Sequence, residues 1–383
     1  LYDNAMLLPL YAEGAQRWNN KLLKSAAEGI ADWLDNTMAQ AEGGYAASID
    51  ADAGGEEGAF HVWSKEEIEA ALEEPLRSGF ISTYGLDGPP NFENQAWHLK
   101  HRAFGRRMDE EGEETDGMST ARDTLYRLRE ERQHPTLDSK RLTSWNALLA
   151  GGLVRAGRAL QQPQWQRRAE SIFDFVHRHL WTGDGLLAVW NEGQARFPAY
   201  LDDYAFLIDA LLDSLRVNWR DDHLDFARQL ASILLDRFED PEGGGFYFSD
   251  SGVDVPMGRS MIFQDDATPN GNAIAIRALN RLGRLLGEAR YSRAAERCLA
   301  RSMHALEENP AAHASLLTAL HETVVPRTHL VLAGTDEEQQ AAWKDWLEAS
   351  YRLDCYRIGA PDATRPGILR NFRTDEPATA WVC

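Results

Sequence analysis

The chain has 383 residues, a hydrophobic fraction of 43% and a charged fraction of 26%, values typical of a globular protein rather than a disordered one. Its net charge of −20 repels phosphate backbones, which argues against a nucleic-acid binder. No apolar run is long enough to span a membrane, and no signal peptide is recognisable. We therefore expect a cytoplasmic protein, and the missing initiator Met suggests a piece of a longer chain.

The cysteine pattern carries no redox or metal signature. Cys298, Cys355 and Cys383 form no CxxC pair and have no metal-ligand spacing with histidine. An odd, sparse count of cysteines is typical of a reducing compartment. We predict no metal site and no cofactor.

Paired amphipathic helices follow one another along the chain. They are predicted over residues 2–18 and 20–38, 143–160 and 163–180, 200–217 and 220–238, and 268–287 and 289–308. In the helix of residues 200–217, the apolar residues follow the i, i+3, i+4, i+7 spacing of a buried face, and Asp202, Asp209 and Asp213 fall off that stripe. Thr268 and Pro269 predict the N-cap and first position of the fourth pair.

The first helix of each pair begins with a polar cluster, and the second helix lacks one. The clusters are Tyr2-Asp3-Asn4, Trp145-Asn146, Asp202-Asp203-Tyr204 and Asn270-Gly271-Asn272. Asn146 and Asp203 are 57 residues apart, and Asp203 and Gly271 are 68 residues apart, spacings typical of a helical repeat array. If the pairs close into a ring, these helix starts gather at one mouth. The pattern predicts a mainly α ring of inner and outer helices around a central pocket.

Two regions interrupt this pattern. Residues 44–117 form an insertion expected to cover the mouth, with an exposed loop at 105–117. Near the C-terminus, residues 328–334, 353–358 and 379–382 are predicted strands and 336–350 a predicted helix. We therefore divide the chain into a ring of residues 1–325 and a small β-α-β appendage of residues 326–383.

Several ordered motifs together give a resemblance to a known family. They are Gly43-Gly44-Tyr45 through Asp50-Ala51-Asp52, residues 57–63, Leu142-Thr143-Ser144-Trp145-Asn146, residues 199–205, residues 266–272 and Ala380-Trp381-Val382-Cys383. They resemble the thioredoxin-domain-containing family that includes spermatogenesis-associated protein 20 and its bacterial relatives, over essentially the whole chain. The resemblance implies an (α/α)6 toroid of the six-hairpin glycosidase type. It also implies a preceding thioredoxin-like domain, which we expect to lie outside these residues and to be a partner of the toroid.

The residues expected in the pocket are acids, amides and aromatic rings. The candidate catalytic residues are Asp203, Asp266 and Glu57, and the candidate ligand-binding residues are Asp3, Asp50, Asp52, Trp63, Trp145, Asn146, Asp202, Tyr204, Asn270 and Asn272. One carboxylic acid would protonate a glycosidic oxygen while another carboxylate activates water or attacks carbon. Amides would bind hydroxyl groups, rings would stack on a pyranose, and crowding of the acids predicts a raised pKa for at least one. As an alternative, the same acids cap helices and face water.

Two hypotheses for the function remain open. The first is a toroid that binds a carbohydrate-like ligand, with glycosidase-type or sugar-isomerase-type activity. Proton transfer of the epimerase type needs histidines at the mouth, and His61 alone is a candidate, which weakens the isomerase form. The second hypothesis is a non-catalytic interaction module that accompanies a thioredoxin-like domain.

Overall fold

The protein is described by a computed structural model over residues 1–101 and 117–325, and after them over residues 328–334, 336, 338, 343, 353–359, 362, 364–371 and 378–382. The helices are α1 (Tyr2–Trp18), α2 (Lys21–Trp33), α3 (Lys65–Ala71), α4 (Leu76–Tyr84), α5 (Met118–Glu130), α6 (Thr143–Ala159), α7 (Pro163–His179), α8 (Leu201–Val217), α9 (Asp221–Ile233), α10 (Gly271–Leu286), α11 (Ala289–Glu308) and α12 (Ala314–Val324). The strands are β1 (Ser48–Ile49), β2 (Asp52–Ala53), β3 (Glu56–Glu57), β4 (Leu137–Asp138), β5 (Arg141–Leu142), β6 (Leu187–Asn191), β7 (Gln194–Pro198), β8 (Thr328–Gly334), β9 (Leu353–Gly359) and β10 (Ala378–Val382).

Helical hairpins form the main body. Within the described residues the hairpins are α1–α2, α6–α7, α8–α9 and α10–α11, and their first helices pack side by side in the order α1, α6, α8, α10, with α12 next to α10. Each second helix packs against the outside of its own partner. This is the (α/α)6 toroid arrangement, of which the described part supplies four hairpins and a fifth inner helix. The predicted alternation of inner and outer helices is confirmed.

The predicted helix bounds agree with the structure to within a few residues, with one instructive difference. Helix α10 begins at Gly271, and its N-cap is Asn270, whose side chain accepts the N–H of Ala273. The prediction of Thr268 as N-cap was wrong because the carboxylate of Asp265 accepts the N–H of Asn270 and holds the preceding segment outside the helix. Outer helices α2 and α9 both end in a π-helical turn, at Leu34–Met38 and Leu234–Phe238.

A buried asparagine closes the connection from an outer helix to the next inner helix. Oδ1 of Asn146 accepts the N–H of Tyr45 at 2.8 Å, and its Nδ2 donates to the Tyr45 carbonyl at 3.0 Å. Asn272 does the same with Phe246, at 2.7 Å and 3.0 Å. We call this arrangement the asparagine clamp. It recurs at equivalent positions of two hairpins, so it belongs to the repeat rather than to one site.

Glycine makes the clamp possible. Tyr45 follows Gly43-Gly44, whose φ angles are 100° and 71°, in the left-handed region that favours glycine. The clamped Phe246 likewise follows two glycines with positive φ. A Cβ on Gly44 would also lie only 3.2 Å from the ring of Phe175. The glycine pair therefore turns the chain sharply and lets the backbone approach the core.

The insertion has a small core of its own. Trp63 is 4% exposed and packs in this core, whose other buried members are Ile68, Leu72, Phe80, Leu86, Trp97, Met118, Ala121 and Leu125. The last three come from α5, so the insertion is completed by residues beyond 117. The guanidinium of Arg132 lies 4.1 Å from the centre of the Trp63 ring. The loop predicted at 105–117 lies outside the described residues except for Gly117.

The C-terminal strands form a three-stranded sheet in the order β10-β8-β9, with β8 and β9 parallel and β10 antiparallel to β8. The three strands predicted there are confirmed, and the helix predicted at 336–350 lies outside the described residues apart from three single positions. Val331 of β8 and Tyr356 of β9 are buried in the same core as the inner helices. None of the helices in the described residues combines the length and the apolar character that crossing a membrane requires.

We predict that Asn146→Ala and Asn272→Ala each lower the free energy of unfolding by about 3 kcal/mol or more, because each leaves a buried N–H and a buried C=O without their partners. Urea unfolding of the purified variants measures this. The control is Asn218→Ala at an exposed position, expected within about 0.5 kcal/mol of the wild type. A loss below about 1 kcal/mol in both clamp variants would show that the clamps do not hold the repeat together.

Candidate functional site

The inner helices begin at one end of the molecule. The N–H of Ser144, in the first turn of α6, donates to Oδ1 of Asp203 in the first turn of α8 at 2.7 Å. A Cβ on Gly271, the first residue of α10, would clash with Oδ1 of the neighbouring Asp202. The rings of Tyr2 on α1 and Trp145 on α6 meet edge to face, with 4.7 Å between their centres. The polar helix starts are therefore brought together, as the sequence predicted.

Asp203 is committed to holding two segments of backbone. It is 3% exposed, and its second oxygen accepts the N–H of Tyr200 at 2.8 Å while the first accepts Ser144. Burial raises the pKa of Asp203 to about 7; the N–H groups of Tyr200 and Ser144 oppose the rise and the Asp202 carboxylate adds to it. The predicted rise in pKa is confirmed, and its main cause is burial rather than crowding.

Asp202 differs from its neighbour in what surrounds it. It is half-buried, and no donor in the described part of the chain forms a hydrogen bond with its carboxylate. Burial raises its pKa to about 6. Successive residues of a helix point about 100° apart, so Asp202 and Asp203 cannot share one environment. Of the two acids, Asp202 is the one whose carboxylate accepts no backbone N–H in the described residues, and its Oδ1 lies against Gly271.

Aromatic rings surround the start of α8. Tyr200 is 41% exposed and stacks on Phe248, with ring centres 4.8 Å apart and planes at 13°. Phe197 on β7 is 63% exposed and has a φ of 61°, a conformation that costs energy for a bulky residue and tends to occur at functional sites. These three residues were missed as site residues. For Phe197 and Tyr200 the available signal was a pair of aromatic residues directly before the acidic helix start, and Phe248, 46 residues after Asp202, had no such signal.

The predicted amide residues hold the protein's own backbone. Asn146 and Asn272 are the clamp residues, and Nδ2 of Asn270 donates to the carbonyls of Ile262 and Gln264 at 3.0 and 3.1 Å. The Sγ of buried Cys298 also donates to Oδ1 of Asn272 at 3.2 Å. The structure thus gives each amide an internal partner, and their assignment to a ligand stays a prediction.

The other predicted residues separate into three groups. Tyr204 is 2% exposed in the main core, where its hydroxyl accepts the N–H of Leu186 at 2.9 Å. Trp63 lies in the core of the insertion, as described above. Exposed acids make up the third group, with Asp3 and Asp266 at the helix-start end and Asp50, Asp52 and Glu57 on the insertion. Glu57 lies in the two-stranded sheet of β2 and β3 rather than beside the inner helices.

A groove runs along the inner helices away from these helix starts. Its upper part is a cavity of about 300 Å³ with a mainly apolar lining that includes Met6 on α1, Leu148 on α6, Phe206 on α8 and Ile274 on α10. Phe206 is four residues after Asp202, so the two lie on the same face of α8. A ligand that contacts Asp202 at the helix starts would therefore extend over an apolar surface.

The far end of the groove is charged and larger. Arg281 on α10 binds Asp209 and Asp213 on α8, each at 2.7 Å, and Arg277 binds Glu322 on α12 at 2.9 Å. Burial alone would raise the pKa of Asp213, but four arginines, Arg281 foremost, hold it below its ordinary value. This end opens into a cavity of about 810 Å³, at the C-terminal ends of the inner helices and opposite the predicted mouth. Its signal in the sequence was the i, i+4 spacing of both the aspartates and the arginines.

No protein-family model matches the chain. An uncharacterised protein of Caenorhabditis elegans is 29% identical over 311 residues, which cover 74% of this chain and 42% of that protein. Human spermatogenesis-associated protein 20 is 26% identical over 437 residues, which cover 100% of this chain and 55% of the human protein. The chain thus spans about half the length of the curated relatives it matches. Among solved structures, a family 76 glycoside hydrolase, an α-mannanase of Bacteroides thetaiotaomicron, is similar with a TM-score of 0.49 and 12% identity, over 84% of this chain and 69% of that one.

No group of three or more His, Cys, Asp or Glu side chains in the described residues is arranged to hold a metal ion.

The two carboxylates of α8 lead to a pH-dependent prediction. An amide has one acceptor oxygen, so the Asp203→Asn substitution places an NH₂ group against a backbone N–H. We therefore expect the free energy of unfolding to fall by about 1–3 kcal/mol at pH 5. The raised pKa means that wild-type stability falls as the pH rises from about 4 through about 7, because the folded state must then hold an ionised, buried carboxylate. The variant has no carboxylate to ionise, so the difference in the free energy of unfolding between the wild type and the variant should be smaller at pH 8 than at pH 5.

Urea unfolding at pH 5 and pH 8 measures the difference. The matched control is Asp202→Asn, which removes no backbone acceptor and should cost nothing at pH 5. A deficit of Asp203→Asn that grows between pH 5 and pH 8 would contradict the raised pKa.

Proposed function

We propose that the protein binds a carbohydrate-like ligand at the starts of its inner helices, with Asp202 as the acid that meets it. The observation that carries the proposal is the contrast within the acidic pair. Asp203 uses both of its oxygens to hold backbone N–H groups, whereas Asp202 is half-buried and has no such donor in the described residues. A polar group held out of water without a partner is costly, and a ligand hydroxyl would relieve that cost.

The surroundings of Asp202 suit a sugar. The exposed Tyr200 ring, backed by Phe248, and the ring of Trp145 offer flat apolar surfaces at the same helix starts. Sugars present apolar ring faces and polar edges, and aromatic side chains with nearby carboxylates are the groups that fit both. The upper cavity, which Phe206 lines one helical turn after Asp202, would accept the rest of the ligand.

A glycoside-type reaction is the chemistry that this acid supports best. With its pKa raised to about 6, Asp202 would be partly protonated near neutral pH and could donate a proton to a leaving oxygen. A second, ionised carboxylate would activate water or attack the anomeric carbon. Asp3 and Asp266 are exposed at the same end of the molecule and are the candidates for that role.

A second candidate function is a non-catalytic interaction module that accompanies a thioredoxin-like domain. One observation favours it: the predicted amides and Asp203 all serve the protein's own backbone, which leaves few polar groups for a ligand. Absence of sugar binding would support this alternative.

The test measures thermal unfolding of the wild type and of Asp202→Asn with a panel of neutral mono- and disaccharides, and hydrolysis of p-nitrophenyl glycosides. We expect at least one sugar to raise the melting temperature of the wild type and to have no effect on Asp202→Asn. We also expect the free variant to be at least as stable as the wild type at pH 8, because it lacks a carboxylate whose charged form is disfavoured by burial.

The matched control is Asp174→Asn at an exposed position of outer helix α7, which should bind the same sugars as the wild type. Sugar binding that survives in Asp202→Asn would rule out the assigned role of Asp202. A panel in which no sugar stabilises the wild type would rule out the carbohydrate site and leave the interaction module.

A further inference from the structure

The large cavity at the C-terminal ends of the inner helices has a charge opposite to that of the whole chain. Its described lining contains seven arginines, which are Arg17, Arg155, Arg158, Arg216, Arg277, Arg281 and Arg284. The same lining has three carboxylates, Glu13, Asp213 and Glu322, and Asp209 adds a fourth from the adjoining cavity. The described lining is therefore positive by three charges, in a chain whose net charge is −20.

The position of these arginines follows from the fold. Arg17, Arg158, Arg216 and Arg284 are the basic residues in the last turns of α1, α6, α8 and α10. Because the inner helices are parallel, their last turns converge and one guanidinium comes from each. Arginine at a helix end also offsets the helix dipole. That role alone does not explain the pattern, since three of the four described outer helices, α2, α9 and α11, have no basic residue in their last turns, and α7 is the exception.

Carboxylates hold the more buried arginines of this cavity in place. Arg281 is 8% exposed and is held by Asp209 and Asp213, and Arg277 is held by Glu322. Arg155 approaches Asp213 only to 3.8 Å, beyond hydrogen-bond distance, and its side chain is 40% exposed. Fixed guanidinium groups lose little entropy when they bind an anion, and their planar fork matches carboxylate and phosphate oxygens.

From this geometry we propose a second binding site, in the arginine-lined cavity, for a small anionic molecule that carries carboxylate or phosphate groups. The volume of about 810 Å³ is in the range of cavities that bind small molecules. The low dielectric of a concave site strengthens the attraction of its charges for an anion. The proposal requires an excess of positive charge around the cavity and does not require any arginine to be unpaired.

This site is separate from the one assigned to the carbohydrate-like ligand. Asp202 and Arg216 are at opposite ends of α8, about 21 Å apart along the helix axis. Removal of the Asp202 carboxylate should therefore leave anion binding unchanged. The two proposals can fail independently, because each has its own ligand class and its own residues.

Isothermal titration calorimetry with inorganic phosphate, glucose 6-phosphate and citrate tests the site, with glucose as the neutral comparison. We expect at least one anion to bind with a stoichiometry of one per chain, more weakly at high ionic strength, and with the same Kd when glucose is present. A preference for citrate over glucose 6-phosphate would assign carboxylates as the ligand groups, and the reverse would assign phosphates.

The variants are Arg158→Gln, Arg284→Gln and the double variant. Each substitution should raise the Kd about tenfold, because it removes a charge-assisted contact to the anion. The matched control is the double variant Arg167→Gln/Arg178→Gln at exposed positions of α7, which has the same net charge and should bind as the wild type does. If the double variant does not fold, the Kd values of the two single variants still test the proposal.

Three results would overturn the proposal. One is the absence of stoichiometric binding for all three anions. Another is an equal loss of affinity in the cavity and control variants, which would show that surface charge attracts the anion. The third is loss of anion binding in Asp202→Asn, which would place the anion at the helix starts instead.

Discussion

The asparagine clamp is the interaction on which the rest of the architecture depends. One amide group both accepts from and donates to the backbone of a single residue, Tyr45 in one hairpin and Phe246 in another. No carboxylate or apolar side chain has this pairing of donor and acceptor. Since each clamp joins the end of an outer helix to the start of the next inner helix, it fixes where the inner helices begin. The positions of the side chains at both ends of the groove depend on that alignment of the inner helices.

Two carboxylates also hold the starts of neighbouring inner helices together. Asp203 joins its own helix start to the N–H of Ser144 on α6, and Asp265 joins the start of α10 to the N–H of Ser315 on α12. Both therefore bridge neighbouring inner helices through backbone donors that a helix start leaves unsatisfied. Adjacent acids consequently have different roles: Asp203 serves the fold, and Asp202, rotated by about 100° on α8, faces Gly271.

Much of the fold could be predicted from the sequence, because apolar periodicity and polar helix starts are local signals. The hairpins, the three C-terminal strands and the convergence of the helix starts all rest on such signals. The partners of individual side chains do not: the partner of Asn146 is 101 residues away, so its clamp role is invisible in the local pattern. Trp63 illustrates the same limit, since the core that buries it is completed by α5, outside the predicted insertion. The arginine cavity was missed because its charges come from four helices far apart in the chain, and the i, i+4 spacing on α8 and α10 does not show which helices meet.

The two ends of the inner helices differ in charge for a common reason. A helix start favours anions and a helix end favours cations, and acids at the starts and arginines at the ends follow that rule. The rule should lower the pKa of Asp202, yet burial raises it, so desolvation is the stronger effect at this position. Between the ends, Arg281 binds both Asp209 and Asp213, and Arg277 lies 3.8 Å from Asp209. If both proposals hold, the two ends of the groove select ligands by charge. The acids at the helix starts repel anions and leave room for a neutral sugar, whereas the arginines at the helix ends attract anions.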